Sequence, residues 1–331
     1  MPFSFDNGLV YRNGSAGFVI DPHSKKNRKM TAIVSHAHSD HFANGHAAAW
    51  MTPETQALLL NRHSELKNVK TVSYEKKFNV EDCSVSLHNA GHVLGSSQVL
   101  LENGQSVLIS SDFNPVDSVL FEAAKPQACD TLIIESTFGL PEYSFPLREA
   151  VHEEIGEWIR RQAANNRFVV LAGYSLGKAQ ELTRIVNDFA DTAPLVHETI
   201  FEINQTYEKF GVHLGKYIKL EHNLKESGVL ILPPSLMDKH LVSALEFGVQ
   251  KKVVTANSTG WSYRSGFDKI FPLSDHADFA GLMQFVRDCA PKQVYTVHGF
   301  ARELANAVSR RLKIPCRPLG KQNQLALTEF E

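Results

Sequence analysis

Hydrophobic and polar positions alternate in short runs over the first part of the chain, a pattern that predicts β-strands. The runs are rich in β-branched residues, and turn-forming glycine, asparagine and proline separate them. Predicted strands cover residues 17–21, 31–36, 84–92, 97–103, 105–112 and 131–137. A helix is predicted over 52–63, because Thr52 can cap its first turn and Pro53 suits its first position.

The middle of the chain alternates between predicted helices and predicted strands. Helical spacing of apolar residues predicts helices over 145–166, 176–190, 202–213 and 237–248. Compact apolar runs predict strands over 167–175, 228–234 and 251–257. This alternation is typical of βαβ units on a mainly parallel sheet.

The last part of the chain returns to the first pattern, with a predicted strand at 293–299 and a helix from Ala301. We therefore predict an α/β (α+β) protein with an interrupted domain. Residues 1–142 begin a β-rich domain, residues 143–265 form an α/β insert, and residues 266–331 complete the first domain.

Composition excludes several classes of protein. The 331 residues are 43% hydrophobic and 21% charged, which is ordinary for globular domains and excludes collagen, disorder and coiled coil. The formal net charge is −2, so any nucleic-acid binding requires a local basic patch. Neither a membrane-length apolar run nor a signal-peptide layout is present, so we expect no membrane partner. Four cysteines without a CxxC pair predict a cytoplasmic protein with reduced thiols.

A dense histidine cluster, SHAHSDHF at 35–42, is the strongest chemical signal. His36, His38, Asp40 and His41 follow an apolar strand, and in a loop their side chains can surround a metal ion. Imidazole and carboxylate ligands suit zinc, with manganese or iron as alternatives. The bland alternative is a histidine-rich surface loop.

Three residues elsewhere in the chain can complete a metal site. His92 lies in a glycine-flanked loop, while Asp112 and His298 each end an apolar run. Each of them taken alone is more often an ordinary core or surface group. Together with the cluster they make seven candidate ligands, enough for a two-metal site with ions about 3.5–4 Å apart.

The ordered motifs resemble those of a known family. HxHxDH, a glycine–histidine loop, a strand-end aspartate and a late histidine resemble the metallo-β-lactamase superfamily. LIIESTFG (132–139), YSLGKAQEL (174–182), PLSDHADF (272–279) and VHG (297–299) resemble its β-CASP nuclease branch, and most of all the bacterial DNA-ligase-associated exonucleases. The resemblance covers nearly the whole chain and implies an αββα sandwich with a small inserted β-CASP-like domain.

The resemblance also implies roles for the candidate residues. One zinc ion would be held by His36, His38 and His92, and a second by Asp40, His41 and His298, with Asp112 bridging the two. Manganese is the alternative metal. Asp21 would orient the ligands, or simply form a turn before Pro22.

Glu135 and His276 match the carboxylate and histidine that the nuclease branch adds to the common fold. A histidine held by a carboxylate stays protonated more easily and can give a proton to a leaving oxygen. Glu135 could instead cap a turn, and the segment around His276 could instead cap a helix. Phe300 stands where several relatives have glutamate after the last histidine, so the work of that glutamate must be absent or moved.

Substrate contacts are predicted in the insert. Ser175, Gly177 and Lys178 lie at a strand-to-helix turn, where free N–H groups and a lysine can bind phosphate. Arg264 is a second candidate, with Trp261 and Tyr263 able to stack on bases. The alternatives are a tight glycine turn and ordinary aromatic packing.

The resemblance implies a zinc-dependent DNA exonuclease of DNA repair. Hydroxide held between two metal ions would attack the phosphodiester, and His276 would protonate the leaving oxygen. Asp40, a ligand of the second ion, is counted with His276 and Glu135 among the catalytic residues. An ATP-dependent DNA ligase and a helicase are the implied partners. The alternatives are an RNA-processing nuclease of the same branch, a small-molecule metallo-hydrolase and a non-catalytic binding subunit.

Overall fold

The computed structural model describes residues 2–221, 224–261 and 266–320. The chain divides into two compact units. The first comprises Met1–Asp117, Glu122–Ser144 and His276–Glu331, and the second comprises Ser118–Phe121 and Phe145–Asp275. Elements are numbered along the whole chain.

The first sheet of the first unit contains six strands in sequence order. They are β1 (Phe3–Phe5), β2 (Leu9–Asn13), β3 (Ala16–Ile20), β4 (Thr31–Ile33), β5 (Ala48–Met51) and β6 (Val69–Thr71). Strands β1 to β3 pair antiparallel, and β3 to β6 pair parallel. The parallel part matters for the site, because it places the ends of β3 and β4 at one edge.

The second sheet of this unit has seven strands, in the order β19-β18-β11-β10-β9-β8-β7. They are β7 (Phe78–Val80), β8 (Cys83–Asn89), β9 (Ser97–Asn103), β10 (Gln105–Ile109), β11 (Thr131–Glu135), β18 (Gln293–Val297) and β19 (Cys316–Pro318). Strands β10, β11, β18 and β19 run parallel, whereas β7 to β10 pair antiparallel.

The two sheets share an apolar core. Phe18, Ile20 and Ile33 of the first sheet pack with Leu87 and Ile133 of the second, all of them buried. Helices α6 (Phe279–Cys289) and α7 (Ala301–Arg311) cover the other face of the second sheet, with their side chains packed in a second cluster. Helix α1 (Pro53–Leu60) contacts the first sheet at β6. The predicted αββα sandwich is confirmed.

The second unit is a parallel sheet with helices on both faces. Its strands, in the order β14-β13-β15-β12-β16-β17, are β12 (Phe168–Ala172), β13 (Leu195–Val196), β14 (Ile218–Lys219), β15 (Val229–Leu232), β16 (Val253–Ser258) and β17 (Lys269–Phe271). Its helices are α2 (Arg148–Ala164), α3 (Lys178–Ala190), α4 (Glu198–Lys209) and α5 (Lys239–Val249). One face packs against α2, α3 and α4, and the other packs against α5.

The second unit extends beyond the predicted end of the insert. The sequence pattern put that end at residue 265, whereas the compact unit continues to Asp275. The reason is β17, which pairs in parallel with β16 and so adds a strand to the sheet. Among the described residues, no helix is long and apolar enough to cross a membrane.

Candidate metal centre

The candidate ligands of the first unit lie just beyond the ends of its strands. Strand β4 ends at Ile33, three residues earlier than predicted, and a 3₁₀ turn at Ser39–His41 follows. This early end frees the histidine segment from the alternation of a strand, so its side chains can converge. Asp112 follows β10, Glu135 is the last residue of β11, and His298 follows β18 directly.

Four of the predicted ligands form a preassembled group. His36 Nε2 lies 3.0 Å from His38 Nδ1, and His92 Nε2 lies 3.2 Å from the same His38 nitrogen. Asp112 Oδ2 lies 3.6 Å from His36 Nε2. One donor atom from each of the four residues fits within a 4.8 Å span.

This donor set fits a metal ion. Two ring nitrogens at these distances repel each other unless an N–H of one ring or a metal ion lies between them. Three imidazoles and one carboxylate are a usual ligand set for zinc. Burial, followed by the neighbouring His41 and His38, holds the pKa of His36 well below its ordinary value, so its ring is a neutral donor.

The second predicted ligand set, Asp40, His41 and His298, is less tightly grouped. His41 Nε2 lies 3.4 Å from Asp112 Oδ2 and 3.6 Å from Asp40 Oδ2, and half of the Asp40 side chain is exposed. The ring of His298 is centred 6.0 Å from that of His41. Asp112 therefore lies beside both sets, as a bridging ligand must.

Burial and charge give the two histidines of this set opposite pKa shifts. Burial alone would lower the pKa of His41, but Asp112 and Asp21 outweigh burial and raise it to about 10. Burial, reinforced by His41, lowers the pKa of His298 to about 4. A metal ion binding here would therefore displace a proton from His41 and meet a neutral His298.

Asp21 holds the histidine loop. Its Oδ1 accepts a hydrogen bond from Ser35 N at 2.7 Å, and its Oδ2 accepts from the hydroxyls of Ser35 and Ser111 at 2.7 and 2.8 Å. The same Oδ2 lies 3.1 Å from His41 Nδ1. Asp21 thus orients the loop, as the resemblance implied.

Sequence reasoning missed the two serines. Each directly precedes a candidate ligand, His36 or Asp112, and their hydroxyl oxygens lie 2.5 Å apart. That adjacency was the available signal, but serine next to a ligand is too common to single out.

Glu135 and His276 form the predicted pair. His276 Nδ1 lies 3.0 and 3.1 Å from the two carboxylate oxygens of Glu135. Glu135 also accepts hydrogen bonds from Phe113 N and the Thr137 hydroxyl. Burial would raise the pKa of Glu135, but His276 and these donors hold it below its ordinary value. A donor atom from each member of the pair lies within 4.8 Å of one from Asp112.

The backbone beside the last candidate ligand is tightly constrained. His298 and Gly299 have φ angles of +59° and +44°, a left-handed backbone conformation that is typical of a tight turn. A Cβ atom on Gly299 would come within 2.4 Å of the Ser136 carbonyl oxygen. The Ser136 hydroxyl donates to the His298 carbonyl at 2.6 Å, so this turn is fixed at both residues.

The second unit gives the predicted phosphate contacts a different environment. Lys178 is buried, and its Nζ lies 2.6 Å from Asp275 Oδ1 and 3.5 Å from Glu181 Oε2. Gly177 N, at the start of α3, donates to Gln180 Oε1 at 2.7 Å, and the Ser175 carbonyl accepts from Gln180 Nε2. Internal partners thus occupy Gly177 N and Lys178 Nζ, two of the groups that the sequence offered to phosphate. Arg264 and Tyr263 lie outside the described residues.

Comparisons with known proteins agree with this site. Residues 269–317 match the family model of a Zn-dependent metallo-hydrolase RNA specificity domain. A probable DNA ligase of Opitutus terrae is 34% identical over 98% of this chain and 31% of its own length. An RNase J-like protein of Methanocaldococcus jannaschii is 31% identical over 39% of this chain and 32% of its own length. The chain thus spans about a third of these relatives.

A solved structure supports the fold. A crystal structure of a protein of unknown function from Enterococcus faecalis superposes with a TM-score of 0.63 at 13% identity, covering 97% of each chain. In its αββα sandwich, its clustered histidines and the matched family model, the chain is similar to metal-dependent hydrolases. The chain is also 29% identical over 46% of its length to a transcription termination factor FttA of Thermococcus kodakarensis, of which it covers 26%.

Proposed function

We propose that this chain is a zinc-dependent exonuclease that hydrolyses phosphodiester bonds of DNA during repair. One observation carries the choice of DNA. Nearly the whole chain aligns with less than a third of a relative named as a probable DNA ligase. That relative therefore joins a homologue of this chain to a much longer sequence, in one polypeptide named for sealing DNA. Trimming an end before it is sealed is a reaction that fits such a fusion.

The metal ions would be held by the two sets of ligands described above. His36, His38 and His92 would hold one ion, Asp40, His41 and His298 the other, and Asp112 would contact both. When bound, such ions supply Lewis-acid activation of water and neutralise charge that develops on the phosphate. Asp21 keeps His41 and the preceding loop oriented for this role through its contacts with Ser35 and His41.

His276 would be the general acid. Because Glu135 contacts Nδ1, we assign the donation of the proton to Nε2. The carboxylate stabilises the protonated imidazole, which favours donation to the leaving oxygen. The closeness of Asp112, Glu135 and His276 supports an acid that acts beside the metal ligands.

The relative named as a probable DNA ligase supports a ligase as partner, whereas the helicase is implied only by the resemblance. We infer that an ATP-dependent DNA ligase, together with a helicase, works with this chain in the cytoplasm. Two specific observations favour RNA as the alternative substrate. The matched family model is described as an RNA specificity domain, and one relative is named RNase J-like.

Digestion of end-labelled DNA and RNA of identical sequence tests the proposal. Single- and double-stranded substrates carry the label at either the 5′ or the 3′ end, with zinc or manganese added. Stepwise shortening of DNA, with RNA left intact, is the expected result. Shortening of RNA alone would establish the alternative, and internal cuts would contradict exonuclease action. Because the two polymers share a sequence, a difference in their cleavage shows that the enzyme distinguishes them by the 2′-hydroxyl.

A further inference from the structure

Helix α1 touches both loops that bring histidines to the first metal set. Its N-terminal end lies against the loop that contains His92, and the segment after its C-terminal end lies against the loop that contains His36 and His38. No candidate ligand lies on the helix itself. Its eight residues correspond to a length of about 12 Å, and the two contacts are made at its opposite ends.

The N-terminal contact is made by two threonine hydroxyls. Thr52 and Thr55 each place Oγ1 within reach of the Gly95 carbonyl oxygen, at 2.9 and 3.0 Å, and both residues are fully buried. Thr52 Oγ1 also accepts from Thr55 N and so caps the helix, as the sequence predicted. Gly95 has a φ of +75°, and a Cβ there would come within 2.7 Å of the helix.

The His92 loop is closed by its own hydrogen bonds. Ser96 Oγ accepts from His92 N and Val93 N, both at 3.1 Å. Fixing Gly95 between these residues and the helix therefore fixes the main chain at His92. The imidazole of His92 can then approach His38 only in the orientation that this turn allows.

The second contact is made by Arg62, just after the helix. Its guanidinium donates to the carbonyl oxygen of Ala37, the residue between His36 and His38. His63 adds a ring contact with Phe42, whose centroid lies 5.5 Å away. A charge-assisted hydrogen bond to this carbonyl holds the main chain between two candidate ligands.

We propose that helix α1 is a clamp that sets the affinity of the His36, His38 and His92 set for zinc, with Arg62 and Thr55 as its positioning residues. The inference rests on the proposed metal set. Residues that orient metal ligands without touching the metal typically change affinity about tenfold to hundredfold when they are removed.

The sign of the effect separates positioning from electrostatics. Arg62 carries a positive charge beside a site for a cation, so removing only its charge should tighten zinc binding. Removing a positioning hydrogen bond should weaken it. A weaker affinity after loss of a positive charge is therefore the signature of the clamp.

The test measures the zinc dissociation constant of the metal-free full chain by competition with a chromogenic chelator. Arg62→Gln should raise the constant about tenfold to hundredfold, and Arg62→Lys should recover most of the loss. Thr55→Val, at the other end of the helix, should weaken binding in the same direction. Arg62 and Lys67 are both exposed residues of the same connection, so Lys67→Gln removes the same charge without the contact to Ala37 and should leave the constant unchanged.

Melting of each metal-free variant shows whether it is folded, and Thr55→Val carries the test if Arg62→Gln does not fold. Zinc affinity unchanged in both variants would overturn the clamp. Unchanged affinity with a raised KM in Arg62→Gln would also overturn it, because Arg62 would then contact substrate. A parent chain that binds no zinc would instead remove the metal set on which both proposals rest.

Discussion

His276 Nδ1 lies at almost equal distances, 3.0 and 3.1 Å, from the two carboxylate oxygens of Glu135. The pair joins residues 141 positions apart in the sequence and fixes one edge of the imidazole. A proton donor needs this kind of restraint, because its geometry must be set before the leaving oxygen develops charge.

The first prediction separates the acid from the metal ligands. His276→Ala should keep its metal content and its affinity for DNA, while turnover falls about a hundredfold to ten-thousandfold, the usual contribution of general acid catalysis. A nitrophenyl phosphodiester, whose leaving group needs no proton, should be hydrolysed almost normally. Glu135→Ala should show a weaker version of the same pattern.

Metal analysis and steady-state kinetics on both substrates provide the measurement, and His41→Ala is the comparison. That variant should lose metal and fail on both substrates. Loss of metal from His276→Ala would make His276 a ligand and contradict its assignment as the acid.

The second prediction concerns acid stability of the second unit. Burial alone would raise the pKa of Glu181, but Arg148 and Lys178 outweigh burial and hold it far below its ordinary value of 4.5. Arg148 forms two hydrogen bonds to this carboxylate, at 2.8 and 2.7 Å. A depressed pKa stabilises the fold above the unfolded value, and this stabilisation is lost as the pH falls below about 4.5.

Urea unfolding as a function of pH checks this sign. Glu181→Gln should cost about 3–5 kcal/mol at neutral pH, because it leaves two buried cations short of a partner. The loss of stability between about pH 5 and pH 3 should become shallower in the variant. The exposed pair Lys77–Glu102 is the control, and Glu102→Gln should cost less than about 1 kcal/mol. An unchanged acid slope in Glu181→Gln would contradict the role of this carboxylate.

The third prediction concerns Lys178, which the sequence suggested as a phosphate contact. Its ion pairs with Asp275 and Glu181 are buried, so Lys178→Met should lower stability. The salt dependence of DNA binding should stay the same, since no phosphate contact and no counterion release are lost. Binding measured at several salt concentrations decides the matter. A shallower salt slope in the folded variant would restore the phosphate contact.

Local patterns predicted the density of candidate ligands and seven of the thirteen strands described for the first unit, but not β1, β2, β5, β6, β7 and β19, each five residues or fewer. Strand β9 has the bounds that its alternation predicts, and the loop of His36 was found because three histidines and a carboxylate crowd six positions. Such signals depend on neighbours in the sequence. The αββα sandwich was implied by the resemblance alone, whereas the order of these segments predicted a β-rich domain interrupted by an α/β insert.

Contacts over long sequence separations could not be predicted. Lys178 and Asp275 are 97 positions apart, and a lysine in the first turn of a helix is usually exposed, so nothing local signalled its burial. Arg62 likewise contacts the main-chain carbonyl of Ala37. Every residue has such a carbonyl, so the amino-acid type at position 37 could not indicate the contact. The edge of the insert was missed because β17 is only three residues long.

Asp112 is the carboxylate beside both ligand sets, and metal counting with DNA hydrolysis on the same samples tests its role directly. The parent chain should hold about two equivalents of zinc or manganese, lose activity in excess chelator and regain it when metal returns. Asp112→Asn should lose metal and activity together, whereas Asp117→Asn, an exposed carboxylate five residues further on, should keep both. Full DNA hydrolysis in excess chelator, or by Asp112→Asn, would contradict the metal centre.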